Sequence, residues 1–423
     1  MGWRARQGGA RRGGADRRRG ARTLSATAVS TSRIELRVLA ALLALGCATF
    51  AFVTTENLPV GLLPLVAHDL HRSRSAVGLL MTAYAFTVVV MSVPLTFATR
   101  RLPRRRLLTG VLALFVVATS LGAAAPSYGF LLGSRMAIAL AHAVYWSVVA
   151  RTAAGLVQPS LRGRALGIVY AGASLASVAG LPAATWLGQH TSWRVATLAA
   201  AALGLVALAV VAALLPGDGV VEIPSDVGRH ADGRRYALLL VALALAVTGL
   251  FATLTYVSPF LTSVAGFPQR DVGPILFVEG AAGVLGVWLA SRHVTRRPGA
   301  VLVGGVVLVA CAMLALAAAG HVRPAVVPLL AVYGAGFSAL VVGGQNRLLD
   351  VAPGNPDVAS AGYSATFNVG IGGGALAGGL LLPAAGVRST PLVGGLLALS
   401  ALTVLVAEPA LLSRGSRARH ARA

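Results

Sequence analysis

Two acidic residues and one arginine lie inside long apolar runs of the sequence: Glu56, Glu279 and Arg135. A charged side chain at the centre of a bilayer costs about 2.5–3.5 kcal/mol even on the mildest scale, so such residues face a cavity or a partner. We therefore expect Glu56 to be neutral, paired or hydrated. Each of these states can change when a cavity opens to the other side, which makes Glu56 a candidate proton carrier. The alternative is a fixed ion pair that holds helices together.

Glu56 and Arg135 are expected at similar depths. Glu56 lies ten residues before the end of the first apolar run, and Arg135 lies seven residues inside the fourth. At 1.5 Å per helical residue, they sit ~15 Å and ~10 Å below the same face. Pairing would lower the cost of burying both charges. The hypothesis is that Arg135 pairs with Glu56 in one state and is pulled away in the other, so that the protonation of Glu56 changes.

Other polar side chains in the apolar runs are candidates for proton or ligand binding. Glu279 is a second proton site or a ligand for a cationic substrate, or else a structural pair. His142 and Trp146 share a helix face at spacing i, i+4, where the histidine either relays protons or is a satisfied buried residue packed on the tryptophan. The remaining candidates either line a substrate cavity or link helices, and they are Asn57, Tyr84, Tyr256, Asn346 and Asn368.

The composition excludes most other classes of protein. Of 423 residues, 56% are hydrophobic and only 12% are charged, about half the charge usual for a soluble chain. All 36 basic residues are arginine, so neither a Walker A loop nor a pyridoxal Schiff base can form. No hydrolase motif and no metal-spaced His or Cys cluster occurs. We therefore expect no enzyme, cofactor or metal site.

The apolar runs predict an all-α membrane protein of twelve transmembrane helices. Each run has about the 20 residues needed to cross a bilayer, and inside hydrocarbon such runs must be helical. The first run contains Asn57, Pro59 and Pro64, which predicts a tilted or broken helix. The predicted spans are 38–66, 75–99, 106–125, 128–151, 163–188, 194–215, 236–264, 271–292, 300–319, 324–348, 358–383 and 390–411.

The arginines predict the orientation of these helices, because cytoplasmic loops are enriched in positive charge. With both termini inside, 29 arginines fall on the cytoplasmic side and six on the outer side, and only Arg135 remains within a span. The net charge of +23 is therefore a topology signal rather than a nucleic-acid footprint. We expect a multi-pass protein of a bacterial cytoplasmic membrane, with no nucleic-acid partner.

The chain divides into two related halves. Residues 1–33 are predicted to be a disordered Arg/Gly-rich tail, and residues 412–423 a basic C-terminal tail. Between them lie six-helix bundles at 34–215 and 236–411, joined by a charged linker at 216–235. An offset of 195 aligns Pro64 with Pro259 and Arg101 with Arg296, among five such matches. Parallel repeats of this kind are typical of transporter halves. The offset also aligns Tyr84 with Glu279, which predicts a cavity-facing role for both.

Four stretches resemble the major facilitator superfamily, in the branch of drug:proton antiporters that includes sugar-efflux, arabinose-efflux and chloramphenicol-resistance permeases. Residues 54–64 (TTENLPVGLLP) resemble that branch's first-helix signature, and 101–106 (RLPRRR) its loop between helices 2 and 3. Residues 141–147, with Arg135, are similar to its helix-4 motif. Residues 172–182 resemble the helix-5 antiporter motif, which makes Gly180 and Pro182 a candidate hinge.

The resemblance implies a secondary transporter with two pseudo-symmetric six-helix bundles that rock about a midplane cavity. We expect it to be a monomer. Its expected function is export of a small molecule such as a sugar or drug in exchange for protons. An importer or facilitator for a small polar solute is the alternative, in which Glu56 would bind substrate. A more distant alternative is a basic membrane-anchored binding protein whose arginine tail holds nucleic acid or anionic lipid.

Overall fold

The apolar runs fold into helices, whose backbone hydrogen bonds are all satisfied within the segment. The structure, a computed structural model, describes residues 34–99, 101–158, 161–216, 231–294, 296–353 and 356–420. Within these residues, twelve helical spans are long and apolar enough to cross a membrane. This number confirms the prediction of twelve spans. The predicted tail at 1–33 and most of the predicted linker at 216–235 lie outside the described residues.

The first six spans form the N-terminal half, and their ends lie within a few residues of the predicted ones. The helices are α1 (Leu36–Asp69), α2 (Arg74–Thr99), α3 (Arg104–Ala123), α4 (Tyr128–Gly155), a fifth span composed of α5 (Arg162–Leu175), a π-helical turn (Ala176–Gly180) and α6 (Leu181–His190), and finally α7 (Trp193–Leu214).

The other six spans form the C-terminal half. The last helix continues past the predicted span end at 411, so residues 412–420 of the predicted C-terminal tail are helical. The seventh span consists of α8 (Gly233–Leu254) and α9 (Val257–Ser263), and it is followed by α10 (Val272–Val294), α11 (Pro298–Ala319), α12 (Arg323–Val351), α13 (Pro356–Ala385) and α14 (Ser389–His420).

Proline acts differently in the two equivalent first spans of the halves. Of the two alternatives predicted for the first span, tilted or broken, the second is wrong, because α1 runs without interruption through Pro59 and Pro64. The seventh span was predicted as one run, but it is interrupted at Thr255 and Tyr256. Pro259 has no N–H to donate to the carbonyl of Thr255, four residues earlier, which accounts for the interruption at this place.

The repeat seen in the sequence is also present in the contacts. In the N-terminal half, Arg194 donates a hydrogen bond to the carbonyl of Ala123 at the end of α3, over 3.0 Å. In the C-terminal half, Arg388 donates to the carbonyl of Ala318 at the end of α11, also over 3.0 Å. These arginines donate to carbonyl groups at helix ends, which receive no hydrogen bond from an N–H group of their own helix.

The two halves contact each other at one face of the membrane. We call the face where α1 begins and α14 ends the terminal face, and the other the far face. Toward the far face, Arg74 Nη1 donates to Ser263 Oγ over 2.8 Å, which joins α2 to α9. Deeper in the membrane, Thr82 Oγ1 donates to the carbonyl of Gly372 over 3.1 Å, which joins α2 to α13.

Glycines allow the close approach of the halves on the far side. A Cβ atom at Gly78 of α2 would overlap the ring and hydroxyl of Tyr256. A Cβ atom at Gly280 of α10 would lie 2.6 Å from the carbonyl oxygen of Ser177, in the π-helical turn. No residue larger than glycine fits at either position without a shift of its neighbour. The far face is therefore tightly closed in this conformation.

Toward the terminal face the halves separate. Tyr170 lies two turns before Ser177 in the fifth span and is 43% exposed. Surfaces that are in contact on the far side are therefore apart on the terminal side, and the cavity between the halves opens to the terminal face.

A charged cluster ties the C-terminal half together at the terminal face. The carboxylate of Glu408 in α14 lies 3.4 Å from Arg235 of α8 and 3.2 Å from Arg347 of α12. The Asp232 side chain caps the first turn of α8 by accepting from the N–H groups of Arg234 and Arg235. Such a network fixes α8, α12 and α14 relative to one another at this face.

Candidate functional site

The Arg135 guanidinium joins α4 to the backbone of α1. Nη1 donates to the carbonyl of Thr55 over 2.7 Å, and Nη2 donates to the carbonyl of Glu56 over 2.9 Å. Pro59 lies four residues after Thr55 and removes the N–H that would otherwise bond that carbonyl. Arg135 supplies the missing donor, which explains why α1 remains continuous at its first proline.

The Glu56 side chain does not pair with Arg135. Both residues are buried, with 8% and 4% of their surfaces exposed, and the hydrogen bond from Arg135 to the Glu56 carbonyl places them at similar levels. However, Arg135 bonds the backbone of Glu56, and within the described residues the Glu56 carboxylate makes neither a hydrogen bond nor an ion pair. The expected ion pair is therefore absent from this conformation. A buried carboxyl group without a polar partner changes its protonation when its surroundings change.

Tyr84 and His142 extend the site along α2 and α4. The guanidinium carbon of Arg135 lies 4.9 Å from the centroid of the Tyr84 ring, at cation–π distance. The Tyr84 hydroxyl is 2.8 Å from His142 Nδ1, and both side chains are buried. This contact favours the interpretation of His142 as a satisfied buried histidine over that of a proton relay.

Trp146 belongs to an aromatic group at the edge of the opening between the halves. Its ring stacks on that of Tyr170 in α5, with centroids 6.0 Å apart and an interplanar angle of 25°. On the other side, it lies 6.0 Å from the His142 ring. Tyr170 was missed in the sequence because nothing there indicates that it stacks on a residue of α4. Its aromatic type inside an apolar span was the only signal.

Glu279 is the buried acid of the C-terminal half, and it lies on the side of α10 that packs against α12. Its surface is 8% exposed, and within the described residues its carboxylate makes no hydrogen bond or ion pair. A Cβ atom at Gly334 of α12 would overlap the Glu279 backbone, so the two helices meet there. The adjacent Gly280 packs on the π-helical turn. Glu279 therefore sits where the two halves meet.

The polar ligand candidates have different environments. Tyr256 is fully buried and donates to the carbonyl of Ala375 over 2.8 Å, which favours its helix-linking alternative. Asn57 and Asn346 each donate to a carbonyl four residues earlier in their own helices, and both keep some exposure. Asn368 donates to Ser364, and its Oδ1 atom is buried without a hydrogen-bond partner in the described residues.

An aromatic stack near Asn368 was not predicted. Phe367 stacks on Phe337 of α12 at 6.3 Å and on Tyr363 at 6.1 Å, with interplanar angles of 13° and 25°. Phe337 corresponds to His142 at the offset of 195, so each half places a ring at this level. An orphaned amide oxygen beside stacked rings is suited to a ligand with both polar groups and an apolar face.

Gly180 and Pro182 lie where the fifth span changes its helix type. Gly180 is the last residue of the π-helical turn, and Pro182 is the second residue of α6. Pro182 has no N–H for the carbonyl of Val178, and the π-helical geometry accommodates that loss. Since this turn packs on Gly280 of the other half, a change in its geometry would move the contact between the halves.

Comparison with known proteins decides the family. Residues 45–356 match the sequence profile of the Major Facilitator Superfamily. The chain belongs to the major facilitator superfamily. It is 34% identical over 359 residues to a protein of Helicobacter acinonychis (strain Sheeba) named probable sugar efflux transporter, which covers 84% of this chain and 91% of the relative. A protein of the same name from Helicobacter pylori (strain ATCC 700392 / 26695) is 35% identical over 361 residues, with the same coverage.

Solved structures share the fold. A bacterial homologue of the human lysosomal transporter Spinster, in an inward-facing and unoccupied conformation, superposes with a TM-score of 0.72 at 15% identity, covering 88% of this chain and 96% of the other. The human organic anion transporter MFSD10 gives a TM-score of 0.63 at 16% identity, covering 87% and 98%. This superfamily member is thus a multi-pass membrane transporter that resembles sugar-efflux permeases, and its family and fold are those of transporters rather than enzymes.

Proposed function

We propose that this transporter exports a small polar or amphiphilic molecule, of the sugar or drug class, in exchange for protons. The observation that carries the proposal is the Glu56 carboxyl group, which is buried beside the α1–α4 contact and has no polar partner in the described residues. The names of the Helicobacter relatives support sugars as the first substrate class to test.

The arginines support the orientation of the protein in the membrane. Placing the terminal face in the cytoplasm gives that side 29 arginines and the outer side six. Both termini then lie on the cytoplasmic side of a bacterial cytoplasmic membrane, and the cavity between the halves opens to the cytoplasm. Substrate enters such a cavity from the cytoplasm, while a proton held by Glu56 leaves to the same side.

The far side must then open for the substrate to leave. Opening separates Gly78 from Tyr256 and Gly280 from the π-helical turn, and water from outside reaches Glu56. Glu56 takes up a proton there as the substrate departs, and the protonated transporter returns to the inward-open conformation. The Arg135 contact keeps the α1 backbone intact during this cycle, because it satisfies the Thr55 carbonyl in an apolar environment.

The substrate binds between the aromatic groups of the two halves. Trp146 and Tyr170 form one wall, and Phe367 with the Asn368 amide forms the other. Rings of this kind pack against the apolar face of a sugar or drug, and amides bond its polar groups. Asn57, on the partly exposed face of α1, is a further polar contact.

Glu279 is the second proton site in this proposal. Like Glu56, it is a buried carboxyl group without a polar partner in the described residues, and it lies where α10 meets the other half. Glu279→Gln would then lower the number of protons exchanged per substrate without abolishing exchange. If Glu279 only stabilises the structure, the substitution would instead lower the thermal stability and leave the number of protons exchanged per substrate unchanged.

The test is substrate-induced proton movement in proteoliposomes that contain a pH-sensitive dye. Sugars, nucleosides and amphenicols are added in turn to the side that corresponds to the cytoplasm. When that side faces the external buffer, an exporter coupled to protons alkalinises the lumen, and it does so only when a transported substrate is present. Substrate movement without proton movement would instead show the alternative, an importer or facilitator in which Glu56 binds the solute.

Deletion of residues 2–33 separates the transporter from the more distant alternative. A transporter keeps its substrate-induced proton movement without this segment, which lies outside the described residues. A basic membrane-anchored binding protein would lose its binding of nucleic acid or anionic lipid when these arginines are removed.

A further inference from the structure

A basic and aromatic patch lies at the terminal-face end of α10. The guanidinium carbon of Arg292 is 3.5 Å from the centroid of the Trp288 ring, one turn earlier, so the two side chains stack. Trp288 is half exposed, and Arg292 is exposed. Three more basic side chains are exposed within the next five residues, and with Arg292 and Trp288 they form what we call the α10 patch: His293, Arg296 and Arg297.

The patch faces the lipid rather than the cavity. α10 packs on α12 through Gly283 and Gly286, where added Cβ atoms would meet Ser338 and Ala335. It packs on the fifth span through Gly280. At 100° per residue, Trp288 and Arg292 lie outside the sector between these two contacts. Leu285 and Leu289, next to them, are 62% and 51% exposed.

The charge of the patch is not neutralised by the protein. No Asp or Glu occurs in the sequence between Glu279 and Asp350. Within the described residues, Arg292, Arg296 and Arg297 form no ion pair. Arginine forms bidentate hydrogen bonds with phosphate, and tryptophan favours the headgroup level of a membrane.

The repeat shows that the fold does not require this pair. At the offset of 195, Trp288 and Arg292 correspond to Val93 and Phe97 of α2. Val93 and Phe97 are 74% and 64% exposed, so that end of α2 also has an outward surface. The equivalent helix therefore presents apolar side chains to its surroundings, whereas α10 presents a stacked arginine and tryptophan.

We propose that the α10 patch binds the headgroup of an anionic phospholipid. Arg292, held flat against Trp288, bonds the phosphate, while Arg296 and Arg297 add attraction for the net negative charge. The exposed Leu285 and Leu289 contact the acyl chains below. A zwitterionic lipid offers the same phosphate but carries a cation that these arginines repel, so the site selects anionic lipids over zwitterionic ones.

The experiment uses the fluorescence of Trp288 in vesicles of defined composition. The full-length protein and its Trp288→Phe variant are reconstituted with brominated phosphatidylglycerol or with brominated phosphatidylcholine, at equal bromine content. The difference between the two proteins isolates quenching at Trp288. The same pair is measured with Arg292→Gln, and with Arg106→Gln as a matched control, since Arg106 is an exposed arginine at the same face, on α3.

We expect the anionic lipid to be enriched about fivefold at Trp288 relative to the zwitterionic lipid. Arg292→Gln lowers the enrichment to near one, and Arg106→Gln leaves it unchanged. Equal quenching by the two lipids would overturn the proposal. Equal loss in both arginine variants would overturn it too, because the attraction would then be a property of the whole basic face. Neither arginine is buried, so both variants fold.

Discussion

Arg135 donates a hydrogen bond to the carbonyl oxygen of Thr55 over 2.7 Å, and that carbonyl is the one from which Pro59 removes the helical donor. Pro59 therefore leaves the Thr55 carbonyl without a donor from its own helix, and Arg135 supplies the donor from α4. In a bilayer an unsatisfied carbonyl costs several kcal/mol, so the two residues depend on each other.

A double-mutant cycle tests this dependence. Pro59→Ala restores the N–H and lets α1 satisfy Thr55 without Arg135. We expect Arg135→Gln to destabilise the wild-type protein by about 2 kcal/mol, the range for a hydrogen bond to a charged group, and the Pro59→Ala background by clearly less. Thermal unfolding in detergent measures the loss of stability in both backgrounds. Additive effects of the two substitutions would contradict the account.

Gly78 and Gly280 are predicted to allow the far face to close. Gly78→Ala or Gly280→Ala places a methyl group against Tyr256 or Ser177, so the far side cannot close fully. We expect transport to fall at least tenfold and the far-side distance between spin labels to increase. Gly110→Ala is the matched control, because a Cβ atom there has no neighbour within 4 Å. If Gly110→Ala reduces transport as much, the effect comes from helix chemistry rather than from closure.

Tyr84→Phe separates the structural and proton-relay interpretations of His142. The substitution removes the hydroxyl that lies 2.8 Å from His142 Nδ1 but keeps the ring beside Arg135. We expect a loss of about 1 kcal/mol in stability and little change in the pH profile of transport. The pH profile is the deciding readout, since a relay through this hydroxyl would shift or abolish it.

Trp146 is predicted to hold substrate through its ring. Trp146→Ala should weaken substrate binding by roughly 2- to 12-fold, the worth of an aromatic contact, whereas Trp146→Phe should keep most of the affinity. Isothermal titration with the transported substrate measures both. Trp186, half exposed on α6 and away from this group, gives the control Trp186→Ala. Equal losses at both tryptophans would contradict a specific contact.

The sequence predicted the spans well, because length and apolarity alone determine which segments cross a bilayer. It also predicted the repeat, and the matching contacts of Arg194 and Arg388 show that repeat in three dimensions. The interruption at Thr255 was not predicted. Pro64 and Pro259 are equivalent in sequence, and only their tertiary surroundings decide whether the helix continues.

The candidate site was predicted in part. The depths of Glu56 and Arg135 follow from residue counting, and they agree with the contact between Arg135 and the Glu56 backbone. Counting along helices gives no side-chain direction, so the ion pair was expected where a backbone contact occurs. Tyr170 and Phe367 were not predicted, because each stacks on a residue of another helix. A single sequence does not indicate which residues of different helices come into contact.

The central claim is that Glu56 carries the proton. The most direct measurement compares Glu56→Gln with Glu35→Gln, an exposed acid just before α1, in three assays on proteoliposomes. Glu56→Gln should lose pH-driven accumulation and substrate-induced proton movement while it keeps substrate exchange at equal pH, and Glu35→Gln should keep all three. Undiminished proton movement in Glu56→Gln would contradict the account.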